Sequence, residues 1–214
     1  LPPHHPYYRE LLVNYRMNLA AVLAKLEHFD EADRLYRELL SYEMHENEIL
    51  HSIGTISLNR GAIRQALSYF ERINYDGTRS IRLYNDYALA YLNQEQFDSA
   101  RIYIEKSLHY NDSLNGNRRN VARGLSWKYL GDVQSALSHS DSAVNSYQQA
   151  ILQFYPSFTA SDNAQNPHEF SGSFSYINLF HALTAKAGVL MKSGSAEKIE
   201  AWLHALDAYR SAYK

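Results

Sequence analysis

The sequence predicts an all-α protein, a helical solenoid of stacked antiparallel helix pairs. Three observations predict this class. Ala32, Ala66 and Ala100 follow one another at intervals of 34 residues, and a small residue precedes each of them by 12 positions. Apolar residues recur between these sites at the spacing of amphipathic helices. A single helix pair cannot bury both of its faces, so stability is expected to come from stacking on neighbouring pairs.

The first helix pair shows these features in the order of the chain. Apolar residues mark its first helix at Leu19, Val22, Leu23 and Leu26, and its second helix at Leu35, Tyr36, Leu39 and Leu40. The small residues let two helices approach closely, and the aromatic residues fill the space between successive pairs. Acidic residues near the expected start of the second helix suit the helix dipole in three of the pairs, at Asp30, Asp98 and Asp141.

Four units can be aligned on their small residue, which is Ala20, Gly54, Ala88 or Gly131. The fourth unit reads Trp127-Lys128-Tyr129-Leu130-Gly131. This run resembles the tetratricopeptide repeat (TPR), whose 34-residue signature is Trp-x-x-Leu-Gly-x-x-Tyr followed by Ala-x-x-x-Phe. The resemblance implies a right-handed superhelix in which the first helices of the units line a concave groove.

The resemblance covers most of the chain as a single array. We expect units at about 13–46, 47–80, 81–123 and 124–156, with an atypical fifth unit at 174–214. Glu27 and Glu95 stand where the family usually has the turn glycine that the second unit supplies as Gly61. The fourth unit has Ser140 in place of an aromatic residue.

The 34-residue period is interrupted twice. Nine extra residues fall at about 111–119, a stretch rich in Asn, and they form either a longer loop or extended helix ends. Pro156 ends the second helix of the fourth unit, and the polar segment 157–173 follows it. A loop of this length is uncommon in a compact domain, so we expect a disordered excursion or a flap that covers a ligand.

Both ends of the chain resemble particular kinds of TPR array. The last segment runs Leu183-Thr184-Ala185-Lys186-Ala187 and later Ala205-Leu206 and Tyr209. It is similar to the final repeats of arrays that precede a CHAT domain, a caspase-like peptidase module. That likeness implies a catalytic His/Cys pair beyond this chain, which has no Cys. The first unit, with His5-Pro6 ahead of Asn18-Leu19-Ala20, resembles repeats of the kinesin-light-chain type.

Composition and charge exclude several classes of function. Basic and acidic residues number 21 and 23, a balance that argues against nucleic acid or an anionic membrane as the main partner. The absence of Cys excludes a thiol nucleophile, a disulfide framework and a Cys-ligated metal within this chain. No signal-peptide pattern is present, and one already removed would leave no trace, so the sequence leaves the compartment and the oligomeric state open.

No motif for catalysis or for a cofactor is found. The chain has neither a phosphate-binding glycine loop nor a His-Glu-x-x-His motif. The ten His residues are scattered, and the six-residue spacing of His45 and His51 is poor for one helical face. We therefore expect no catalytic residue, no metal and no cofactor.

The concave groove is the remaining candidate for a function. Aligning the units on their small residue places amides and charged groups there, which can hydrogen-bond an extended peptide. The candidate peptide-binding residues are Asn18, Lys25, His51, Asn59, Arg82, Asn85, Asn93, Lys128 and Asp132. The alternative is that the inner face is an ordinary solvated surface that binds no peptide. The array lacks the repeated Lys/Asn/Arg pattern of dicarboxylate-clamp TPR proteins, which argues against an acidic C-terminal tail as the ligand.

The sequence therefore predicts a non-enzymatic scaffold that binds a protein or peptide as the interaction region of a larger, CHAT-type protein. The alternative is the peptide-sensing segment of a transcriptional or kinase regulator.

Overall fold

A computed structural model describes residues 5, 7–75, 77–116, 118–159, 162–163, 165–167 and 170–192. Within these ranges all regular structure is α-helical. The helices are α1 (Tyr8–Lys25), α2 (Phe29–Leu40), α3 (Glu46–Asn59), α4 (Ile63–Phe70), α5 (Thr78–Leu92), α6 (Phe97–Asn115), α7 (Val121–Ala136), α8 (Ser140–Phe154) and α9 (Tyr176–Lys192). The predicted all-α class and the pairing of helices are confirmed.

The chain divides into two compact units, and the first of them is Leu1–Asp76. It contains the hairpins α1–α2 and α3–α4, and α3 packs on both helices of the first hairpin. The core cluster between the two hairpins consists of Val13, Ala20, Ala32, Tyr36, Leu39, Ile49, Ile53 and Ile56. The small residues of the repeat, Ala20 and Ala32, are fully buried where α1 meets α2.

The second unit is Gly77–Lys214. Its hairpins α5–α6 and α7–α8 are followed by α9, which packs on α8 and α7. One part of the core joins Ala88 and Ala100 to Tyr129 and Val133. A second part joins the end of α8 to α9 through residues such as Phe154 and Leu179, and a third joins Val144 and Tyr147 of α8 to Val189 and Leu190 of α9. The first helices α5 and α7 are direct neighbours in this unit.

Each hairpin turn uses the same backbone conformation. Glu27, Gly61, Glu95 and Ser138 all have positive φ, between 57° and 75°. The next residue's N–H bonds to the carbonyl five positions back, as in His28 N to Leu23 O at 2.9 Å. This arrangement is a Schellman motif, which ends a helix with a left-handed residue and favours glycine there. Glu27 and Glu95, noted as departures from the family glycine, thus adopt the conformation of that glycine.

The small residues of α7 receive the aromatic rings of α8. A Cβ built on Gly131 would lie 2.6 Å from Cε1 of Tyr147. Seven residues earlier, Gly124 meets the ring of Phe154 in the same way. Two ring-on-glycine contacts along one seam therefore allow α7 and α8 to approach closely.

The two interruptions of the repeat have different structures. The extra residues at 111–119 mainly lengthen α6, which continues to Asn115 and ends at Gly116 with φ 57°. Asn120 then caps α7, because its side-chain oxygen accepts a bond from the N–H of Arg123. The helix α8 ends at Phe154, and Tyr155, which precedes Pro156, has the extended conformation that proline imposes on the residue before it.

Candidate functional site

A buried network of polar side chains sets the register between α5 and α7. The amide of Asn85 donates to the carbonyl of Ala122 at 2.9 Å and accepts from the hydroxyl of Ser126 at 2.8 Å. The Ser126 hydroxyl also lies 2.8 Å from that of Ser107 on α6. One to two turns further along, Leu89 and Tyr129 belong to the same core cluster. The two helices are therefore parallel neighbours.

A second polar group on α7 and α8 consists of the ion pair Lys128–Asp132 and the hydroxyl of Tyr147. The ammonium of Lys128 is 2.8 Å from one carboxylate oxygen of Asp132, and the Tyr147 hydroxyl donates to the other oxygen at 2.9 Å. The side chains of Lys128 and Asp132 are 23% and 26% exposed, so the ion pair is largely buried and still reaches solvent. The Lys128 ammonium also lies 5.5 Å from the centroid of the Tyr129 ring.

Tyr147 and the neighbouring Tyr129 are both held in their protonated form. Burial raises the pKa of Tyr147, and the neighbouring Asp132 carboxylate raises it further. Burial also raises the pKa of Tyr129, with smaller contributions from Asp86 and Asp132. A protonated Tyr147 can donate to Asp132, and this bond fixes the carboxylate that faces Lys128.

Arg82 lies on α5, and Asn93 is the residue directly after its last turn. Because the repeat alignment assigns them to the same inner face as Lys128 and Asp132, we call these four residues the α5–α7 face. Arg82 and Asn93 are both exposed. Within the described part of the chain, the Arg82 and Asn93 side chains have no ion pair, hydrogen bond or ring contact. The guanidinium of Arg82 and the amide of Asn93 are therefore available to a ligand, whereas Lys128 and Asp132 are oriented by each other.

Two predicted site residues point inward. His51 is 5% exposed and makes edge-on contacts with the rings of Phe70 and Tyr75, at centroid distances of 5.8 and 5.7 Å. Asn85, one repeat later, is 2% exposed and occupied by the network described above. His51 and Asn85 occupy the same position of the repeat, at which the first helix packs against neighbouring residues. Short side chains at this position are therefore buried. Lys128 has the same register, but its longer chain reaches the surface. We leave His51 and Asn85 out of the α5–α7 face.

The other candidates lie in the first unit. Asn18 and Lys25 are exposed on α1, and Asn59 is exposed in the last turn of α3. Their side chains have no hydrogen bond or ion pair with any other residue that the structure describes. They stay predictions for the first unit.

The sequence reasoning missed a buried lysine at the contact of α8 and α9. Lys186 is fully buried, and its ammonium donates to Gln148 Oε1 at 2.7 Å and Asn166 Oδ1 at 3.0 Å. It also donates to the carbonyl of Gln165 at 3.2 Å. A lysine between Leu183 and Leu190 on an otherwise apolar helix face is the signal that could have revealed it.

The described parts of segment 157–173 pack onto the second unit. Phe158 stacks on Tyr155 with ring centroids 6.4 Å apart, and Phe170 is buried against α8 and α9. Arg119 donates to the carbonyls of Pro156 and Phe158 at 2.8 and 2.7 Å. These contacts attach the described residues of the segment to the ends of α7, α8 and α9.

Neither a metal site nor a membrane-spanning helix is present in the described ranges. There, no group of three or more His, Asp or Glu side chains could hold a metal ion. Across the same residues, no helix combines the length and apolar composition needed to cross a membrane.

Comparisons with known proteins agree with this architecture. Residues 12–41 and 81–113 each match a model of the tetratricopeptide repeat. The crystal structure of BtubC (BKLC) from P. vanneervenii superimposes with a TM-score of 0.74 at 18% identity, covering 98% of this chain and 84% of that one. The crystal structure of MamA gives 0.59 at 15% identity, with coverages of 91% and 96%. No curated protein matches the chain.

The chain thus contains tetratricopeptide repeats and has the α-solenoid fold of this class, as its sequence predicts. At these identities the solved structures bear on the fold alone.

Proposed function

We propose that this protein is a non-catalytic scaffold that binds an extended segment of another protein across the α5–α7 face. The observation that carries the proposal is the pairing of oriented and free polar groups there. The Lys128–Asp132 pair is half-buried and fixed by Tyr147, while the exposed Arg82 side chain on the neighbouring helix has no hydrogen bond, ion pair or ring contact with any other described residue.

The chemistry of the face suits a peptide backbone. Lys128 and Arg82 supply donors for carbonyl oxygens or an acidic side chain, Asp132 supplies an acceptor for N–H groups, and Asn93 supplies both. Packed helices lie about 8–10 Å apart and an extended chain rises about 3.3 Å per residue, so a peptide crossing both helices can reach groups on each with residues about three positions apart. Because Lys128 and Asp132 are already held in place, little of their side-chain entropy is lost on binding.

The test begins with a peptide library displayed on phage and selected on the purified chain. The affinity of a selected peptide is then measured by calorimetry for the wild type and for Arg82→Ala with Lys128→Ala. Each charge-assisted bond contributes about 1.5–3 kcal/mol, so the double variant should bind at least tenfold more weakly. Its melting temperature should stay nearly unchanged, because partly solvated charges contribute little to folding.

A matched double variant provides the control. Arg101→Ala with Lys106→Ala removes two exposed charges from α6, the second helix of the same hairpin. We expect this variant to bind the peptide as the wild type does. Unchanged affinity in the Arg82/Lys128 variant would move the site to the outer helices or to segment 157–173.

The wider roles predicted from the sequence remain proposals. Neither the structure nor the comparisons support a CHAT-type larger protein or a peptide-sensing regulator. Part of the CHAT resemblance, Ala205-Leu206 and Tyr209, lies outside the described residues. That the chain has no enzymatic activity is also a proposal, supported by the scaffold character typical of the repeats.

A further inference from the structure

The helix α1 carries an exposed apolar stripe on the side opposite its core contacts. The stripe consists of Leu11, Tyr15, Leu19, Val22 and Leu26, whose exposed fractions range from 40% to 67%. At 3.6 residues per turn these five positions fall within an arc of about 80° and extend over about 22 Å. A contiguous apolar patch exposed on a protein surface marks an interaction site, so this stripe calls for an occupant.

The repeat register shows what such a stripe binds in this protein. Tyr15, Leu19 and Val22 are followed 34 residues later by Ile49, Ile53 and Ile56 on α3. These three isoleucines are at most 2% exposed, and they pack in one cluster with Tyr36, Leu39 and other residues of α1–α2. On α3, this register is therefore the face that stacks on a preceding helix pair.

The second unit uses the same register in the same way. Leu130 and Val133 on α7 occupy the positions of Ile53 and Ile56. Val133 is 2% exposed and clusters with Ala88 and Ile104 of the α5–α6 hairpin, while Leu130 packs at the edge of that cluster. In both units, a first helix thus buries this face on the hairpin before it.

We propose that the α1 stripe is a docking surface for a helix pair of another tetratricopeptide-type repeat, which stacks on α1 as α1–α2 stacks on α3. The occupant presents aliphatic side chains on the end of a helical hairpin, the chemistry that α3 meets at Leu35 and Leu39. This proposal concerns a different surface from the α5–α7 face and does not depend on peptide binding there.

The probe is the chain's own first hairpin. A second copy of residues 12–45 is inserted directly before residue 12, so that one hairpin stands in register ahead of the native stripe. Adding a repeat with a favourable interface stabilises a solenoid, and we expect the melting temperature to rise by about 5 °C or more. Leu19→Glu with Val22→Glu in the native copy should abolish this rise.

Two controls separate the interface from other effects. In the unextended chain the same two substitutions lie on an exposed surface and should change the melting temperature by less than about 2 °C. In the extended chain, Ile102→Glu, at a residue 51% exposed on α6, should leave the rise intact. No rise, a loss of helical circular dichroism on extension, or a rise that survives the Glu substitutions overturns the proposal.

The oligomeric state of the unextended chain tests the competing occupant, a second copy of the protein. Light scattering coupled to size exclusion should show a monomer. A dimer that Leu19→Glu with Val22→Glu dissociates would show that a second copy covers the stripe, and it would overturn the proposed occupant.

Discussion

The left-handed residue of the α5–α6 turn offers a way to stabilise the protein. Glu95 has φ 57°, a conformation that costs a residue with a Cβ about 1–2 kcal/mol. Glycine avoids this cost but loses about 0.5–1 kcal/mol through the greater freedom of the unfolded chain. Glu95→Gly should therefore stabilise the fold by about 0.5–1 kcal/mol, a rise in melting temperature of about 1–4 °C.

The assay is urea and thermal unfolding followed by circular dichroism. Glu71→Gly is the matched control, because Glu71 ends α4 with φ −61° and gains nothing from glycine's freedom. We expect this control to be destabilised by up to about 1 kcal/mol. If Glu95→Gly is no more stable than the wild type, or if the two variants behave alike, the argument from backbone conformation is refuted.

Three further predictions concern packing and pH. Gly131→Ala should destabilise the fold by about 1–3 kcal/mol, because the added Cβ meets the Tyr147 ring. Its control is Gly188→Ala on α9, where a Cβ meets nothing within 4 Å, and this variant should be neutral or more stable. Equal melting curves for the two variants would contradict the prediction. Ala100→Trp should destabilise by about 1–3 kcal/mol, and an unchanged melting temperature would show that the fully buried Ala100 is not at a close helix contact. Because the pKa of Tyr129 is raised, the folded chain keeps a proton that the unfolded chain loses near pH 10, so stability should fall above about pH 10. Tyr129→Phe should make that fall less steep in urea titrations, and an equal slope would exclude Tyr129 as its cause.

The periodic features of the fold could be predicted because helix packing repeats them. The 12-residue offset between the small positions corresponds to two helices that cross at close range, and the structure shows Ala20 and Ala32 buried there. The turn positions kept their left-handed conformation even where glutamate replaces glycine. Backbone geometry at a repeat turn is thus imposed by the hairpin more strongly than by the local residue.

The side-chain details could not be predicted in the same way. Alignment placed His51, Asn85 and Lys128 on one face, but side-chain length decides which of them reaches solvent. The burial of Lys186 depends on Gln148 and on residues 165–166, which come from distant parts of the sequence. A period of 34 residues contains no information on such contacts, because they occur once and not in every repeat.

Mapping a selected peptide by NMR chemical-shift perturbation tests the central claim most directly. The proposed function predicts that the perturbed amides cluster on α5 and α7, around Arg82, Asn93, Lys128 and Asp132. Perturbations concentrated on α6 and α8, or on the segment after Pro156, would contradict it.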